Sequence, residues 1–300
     1  MNNPKTTFQR QQGLSLIELM VSIAIAAAMM SAALQFVVST RQTYELNDDI
    51  SRIQENGRMA MDILMQDVRM AGARMPSAGD GKVPDFFLID CTGISPCASN
   101  NYTVGASQPD TNLLADGSDR LSVEYDPPGD NPRPGTDDTI TTQQETCLGT
   151  AITATENIIA NVYTVEDLDN DGISSLYCQG WDTTAGAWLD DAPQPLVDGI
   201  DHMQVLYGVA GDTSQPDSVT MYIPAQKVFI DNPDPTPDVN LWSQVKSARI
   251  SLLVSNGMVA GTAENKQRQY RLLDGDLLTV TDGQPRRIYT ATVQFNNSEF

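Results

Sequence analysis

Basic residues are scarce in this chain of 300 residues: 18 Lys and Arg stand against 39 Asp and Glu, a net charge of −21. Between Pro76 and Val245 the count is 4 against 27. A surface of that sign repels phosphate, which argues against general nucleic-acid binding and against adhesion to anionic lipid through charge. Histidine is reduced to His202, expected as a surface or strand residue without a catalytic role. No G-x-S-x-G elbow surrounds any serine, and no motif places a base for a nucleophile. The stretch AGDGKV at 78–83 is not a phosphate loop, because Val83 stands where a Ser or Thr must follow Lys82. The many carboxylates fall singly in turns, where solvated Asp is the ordinary state, and no enzyme is expected. Aromatics make up only 6% of the chain, but 40% is hydrophobic. Strand-like apolar runs recur to the C-terminus, so a loop-rich globular core is expected rather than disorder throughout.

Charge is also missing from Leu14 to Val38, where Glu18 is the sole ionisable side chain in 25 residues. A helix of that length rises roughly 37 Å, enough to cross about 30 Å of hydrocarbon. Lys5 and Arg10 precede it, so the positive-inside rule leaves Met1 in the cytoplasm and the chain beyond Arg41 outside. An ordinary secretory signal carries its small-residue cleavage site after the apolar stretch; here Gly13 stands before it. A carboxylate in an apolar span costs about 2.5–3.5 kcal/mol on insertion scales, so Glu18 needs the membrane interface or a partner. The alanines at 24, 26–28, 32 and 33 permit close helix–helix approach.

No proline interrupts the chain between Leu14 and Met75. After Arg41 apolar and small residues recur at Leu46, Ile50, Ile53, Gly57, Ala60, Leu64, Val68 and Ala71, one face of a helix, with Asp48, Arg52, Glu55, Arg58, Asp62, Asp67 and Arg69 largely off it. Pro76 and the SAGDG stretch are expected to end a helix running from Leu14 to about Arg74. Met59, Met61, Met65, Met70 and Met75 suit adaptable packing rather than metal binding. Beyond lies a β-rich region with strands expected at Leu121–Tyr125, Asn157–Val165, Ser175–Cys178, His202–Val209, Ser218–Ile223, Ala248–Val254 and Arg287–Phe295. The proline-rich stretches at 126–135 and 231–238 read as exposed connectors.

Cysteine is absent before residue 91, and all four lie on the exported side, where oxidation favours pairing. Four cysteines allow three connectivities. The expected pairs are Cys91–Cys97 and Cys147–Cys178; the spacing and the single histidine speak against zinc. The run DLDNDGI at 167–173 places Asp167, Asp169 and Asp171 at alternate positions before Gly172, the first half of a calcium loop. The twelfth position of an EF-hand would fall on Cys178, which excludes that motif. A Ca2+ site and a plain acidic turn both remain open, with Glu166 or the Ile173 carbonyl as further ligands in the former.

The string GLSLIELMV at 13–21 closely resembles the leader of type IV prepilins. The resemblance implies cleavage between Gly13 and Leu14 by prepilin peptidase and N-methylation of Leu14. It also implies pairing of Glu18 with the freed amine of a neighbouring subunit. Leu14 and Ser15 depart from the commoner Phe-Thr. Residues 55–72, 195–209, 245–254 and 286–295 look like the minor-pilin family PilW. That likeness implies a low-abundance subunit that joins other minor and major pilins, primes assembly of the type IV pilus and stays near its tip. A head of this size fits an end position better than repetition along a shaft. The rival readings are a J-type minor pseudopilin of type II secretion and a calcium-dependent adhesive module at the tip.

The expected architecture is α+β and pilin-like, a long N-terminal helix followed by an antiparallel sheet with disulfide-tied loops. Its parts would be a leader at 1–13, a membrane or filament-core helix at 14–38, an amphipathic helix at 39–75 and a periplasmic head at 76–300. The head would face the periplasm from the inner membrane before assembly and the exterior afterwards.

Overall fold

The computed structural model describes residues 15–72, 117–125, 144–152, 158–183, 185–210, 218–230, 239–241, 244–257 and 267–295. The chain divides into two compact units, with the boundary between Asp49 and Ile50. Helix α1 (Leu16–Met70) runs for 55 residues without a break, as expected of an Ala- and Leu-rich stretch lacking proline. Its first part contains the apolar window long enough to cross a membrane, none of it buried. From Ile53 onward the small and apolar stripe becomes a packed face, with Ile53, Gly57, Ala60, Met61, Leu64 and Val68 buried. Leu46 and Ile50, placed on the same stripe by periodicity, are exposed.

The helix stops earlier than the sequence suggests. The Ala71 N–H bonds back to the Val68 carbonyl, and Gly72 adopts a left-handed φ of 66° while donating to the Glu124 carbonyl at 2.9 Å. Glycine just past the last helical turn accepts that conformation without Cβ strain. Gly72 therefore ends the helix, four residues before Pro76, which lies outside the described residues. The methionines do not share one environment: Met61 is buried, Met59 and Met70 are exposed, and Met75 lies outside the described residues.

The second unit carries strands β1 (Leu121–Tyr125), β2 (Gln144–Glu145), β3 (Ala151–Ile152), β4 (Ile159–Glu166), β5 (Ser175–Asp182), β6 (Ala187–Trp188), β7 (Gln194–Asp198), β8 (Ile200–Ala210) and β9 (Val219–Ile223). The one-turn helix α2 (Ala225–Val228) follows, then β10 (Phe229–Ile230), β11 (Val239–Asn240), β12 (Val245–Val254), β13 (Arg268–Tyr270), β14 (Leu278–Val280) and β15 (Arg287–Gln294). One antiparallel sheet has the order β1-β4-β5-β6 with β7 also against β5; another has the order β15-β12-β8-β9. All seven strands expected from alternation or apolar runs are present, several longer than expected. The short pairs β2–β3, β10–β11 and β13–β14 were not anticipated, because two- and three-residue strands carry too little pattern to be read.

A single core joins both sheets to α1. Ile53, Leu64 and Val68 of the helix cluster with Leu121, Tyr163 and Leu176 of the first sheet and with Met203, Ile250, Leu252 and Val293 of the second. β8 is buried along its whole length. One side of it joins that core. On the other, the Gln204 side chain lies against Gly275, so the chain between β13 and β14 covers that face. His202 accordingly sits inside, beside the Gln204 amide at 3.1 Å. Burial pushes its pKa down to about 4, and the imidazole is neutral at ordinary pH.

Candidate functional site

Glu18 lies in the first turn of α1. Its backbone N–H bonds the Ser15 carbonyl at 3.0 Å, and its own carbonyl accepts the Ser22 hydroxyl at 2.7 Å. Around it Leu16, Ile17, Leu19, Met20, Val21 and Ile23 are all exposed. Apolar exposure on that scale is stable only in lipid or against other helices. A negative charge near a helix N-terminus is also favoured by the helix dipole. Gly13 and Leu14 lie outside the described residues.

Cys147 and Cys178 form a disulfide across a sequence separation of 31, with Cα atoms 6.4 Å apart. It ties the turn between β2 and β3 to the middle of β5. Asp190 works beside it, accepting the Gly180 N–H at 2.6 Å while the Thr146 hydroxyl lies 3.4 Å away. Cys91 and Cys97 lie outside the described residues.

The acidic run forms the connection from β4 to β5, which pair in register from Glu166 opposite Ser175. Asn170 and Gly172 take positive φ values of 57° and 84°, curling the loop. The curl brings one carboxylate oxygen from each of Asp167, Asp169 and Asp171 within 4.8 Å of one another. Two of the three side chains also brace the turn: Asp167 Oδ2 accepts the Gly172 N–H at 3.1 Å, and Asp171 Oδ1 accepts the Ile173 N–H at 2.8 Å. Asp167 Oδ1 is buried with no partner among the described residues. Burial, and then the charges of Asp169, Asp167 and Asp171, push the Tyr177 phenol up. Three hard oxygens fit a hard cation, although calcium takes about six to eight ligands and the rest would come from backbone or water.

Sequence patterning missed two polar clusters. Arg286 holds Asp201 of β8 through Nε and Asp282 through Nη1 at 2.5 Å and Nη2 at 2.7 Å. These bonds and charges hold Asp282 below its usual range. The second cluster surrounds Asp67, which helical spacing placed off the packed face; it is instead partly buried against β4. Neither cluster has a sequence signature, because the partners are 85 or more residues apart or meet across a loop.

Comparison with known families bears on both ends of the chain. The model of the prokaryotic N-terminal methylation motif matches residues 8–34, spanning Gly13, Leu14 and Glu18. The model described as type IV pilus-assembly protein W matches residues 162–297, from β4 through β15. Over those residues the chain is similar to the PilW family, behind a leader that matches the prokaryotic methylation motif. No curated protein and no solved structure matches it. The two matches support a type IV pilus-related minor pilin, and the long apolar helix with antiparallel sheets and a disulfide is consistent with an α+β pilin-like fold. Its exposed apolar helix and leader fit membrane anchoring before assembly.

Proposed function

We propose that this PilW-like chain is a minor pilin that primes filament formation and stays near the tip of the type IV pilus. The observation that carries the reading is the leader-plus-helix arrangement: an apolar helix with a lone carboxylate in its first turn and its side chains left uncovered. Prepilin peptidase cuts after Gly13, and Leu14 becomes the methylated N-terminus. Glu18 then neutralises the amine of an adjoining pilin as helices dock. Two charges each costly in lipid are cheaper together when hydrogen-bonded. The large head, processed in the inner membrane and facing the periplasm, suits an end position where it need not repeat along a shaft.

The experiment is to replace Gly13 with a bulky residue and follow the protein by N-terminal sequencing. The variant retains Met-Asn-Asn at its start, stays in the inner membrane and lowers pilus number, whereas the wild-type product begins at Leu14. A wild-type product that still begins with Met1 overturns the processing step. Normal piliation without this chain overturns priming.

The adhesive reading at the tip is favoured by the convergence of Asp167, Asp169 and Asp171, for which we propose calcium as the occupant. Calorimetry on the full chain in detergent tests it. Heat of binding at millimolar calcium, abolished by Asp169→Ala, supports a site, and no heat in the wild type removes it. Loss of attachment with pili intact then separates adhesion from priming.

A further inference from the structure

The last turn of α1 places a carboxylate against the first sheet with no cation among the described residues to meet it. Asp67 Oδ2 accepts the Tyr163 hydroxyl at 2.5 Å and the Asn161 Nδ2 amide at 2.8 Å. The same Asn161 nitrogen lies 3.2 Å from the Tyr125 hydroxyl, and Asn161 Oδ1 accepts the Cys147 N–H at 3.0 Å. Four pieces of chain, namely α1, β1, β4 and the disulfide-bearing turn, therefore meet around one acidic group. The titratable groups facing it are Tyr163 from β4 and Tyr125 from β1. Asn161 and the Cys147 amide supply only neutral dipoles, and among the described residues no Lys, Arg or His pairs with it.

Burial without a cation drives a carboxylate toward its protonated form, and neutral donors, which favour the charge, offset that only in part. The negative end of a helix, one turn away at Met70, adds to that preference. We propose that Asp67 is a proton-linked latch, fastening the end of α1 to the β1–β4 edge more firmly when protonated than when charged. Burial raises the Asp67 pKa against the lowering effect of its hydrogen bonds to Tyr163 and Asn161. Both phenols are themselves pushed up, first by burial and then by the Asp67 charge, so they remain protonated donors throughout. A folded-state pKa above the unfolded value means the contribution is complete below the ordinary aspartate value. It is lost as pH rises through the folded value. The latch tightens in acid.

The test compares thermal melting of full-length wild type and Asp67→Asn in detergent from acid to neutral pH. Asparagine keeps the shape and an acceptor but cannot charge. The expected result is a variant that melts above wild type at neutral pH, with the gap closing as the pH falls. A gap that does not change with pH, or a variant that loses ground as the pH rises, overturns the latch. The carboxyl carbon resonance of Asp67 in the unmutated chain gives an independent reading. Titration above the usual aspartate range, moved further up by Tyr163→Phe, supports the proposal; titration within or below that range refutes it whether or not the asparagine variant folds.

Discussion

Gly57 sits inside α1, where glycine costs about 1 kcal/mol relative to alanine. Its place is explained by Tyr289 of β15, whose ring carbon Cε2 would lie 2.5 Å from an added Cβ. Helix and sheet touch there through a backbone that a methyl group would push away. Gly57→Ala is therefore expected to lower stability by about 1–3 kcal/mol, the usual range for overpacking, despite the better helix former. Melting of Gly57→Ala with and without Tyr289→Leu checks it, since shrinking the ring restores most of the loss. His202 supplies a second expectation at this scale. Its folded pKa of about 4 lies below the ordinary 6.5, so its contribution is present above 6.5 and is lost as pH falls toward 4. The full stake is roughly 3 kcal/mol at about 1.4 kcal/mol per unit. His202→Gln should flatten that part of the stability profile in acid melts, and an unchanged slope would count against burial as the cause. Neither position was legible in the sequence: a stripe glycine gives no hint of the ring above it, and a lone histidine on an alternating strand gives no hint of what covers the far face.

Among elements, the β2–β3 turn depends most on a single covalent link. β2 and β3 are two residues each, too short to persist by pairing alone. The Cys147–Cys178 bond fixes their turn to β5, and Thr146 and Asn161 complete the attachment. Cys178→Ala, leaving Cys147 reduced, is expected to cost about 2–4 kcal/mol and to reduce the effect of reductant on melting by the share this bond carries. Wild type melted with and without reductant provides the comparison. Its cross-link was expected from the sequence as the pair Cys147–Cys178, but the turn and its short strands were not. The long strands were visible because alternation over eight or more residues is a strong signal, as in β15. The helix end was misplaced for the opposite reason: Pro76 is a conspicuous breaker, whereas Gly72 matters through the carbonyl of Glu124, far along the chain.

For the molecule as a whole, the proposed assembly step turns on Glu18. Under the proposed pairing, Glu18→Ala should leave synthesis and membrane insertion intact but reduce surface pili, because the docking helix would lose the charge proposed to receive a neighbour's amine. Glu18→Gln, which keeps the shape and loses the charge, should fail in the same way. Counting pili by electron microscopy alongside membrane-fraction immunoblots checks both, and normal piliation in either variant would refute the pairing.

What the sequence determined alone was everything carried by near neighbours. A 25-residue apolar stretch, a glycine before it, one acid within it, a helical stripe and several alternating strands are all local patterns, and each matches a local physical requirement. Tertiary structure decided what depends on distant partners. Asp67 belongs with Tyr163 and Asn161, Gly57 with Tyr289, and Arg286 with Asp201, because folding removes water from particular places and leaves each polar or crowded group to find its complement across the chain.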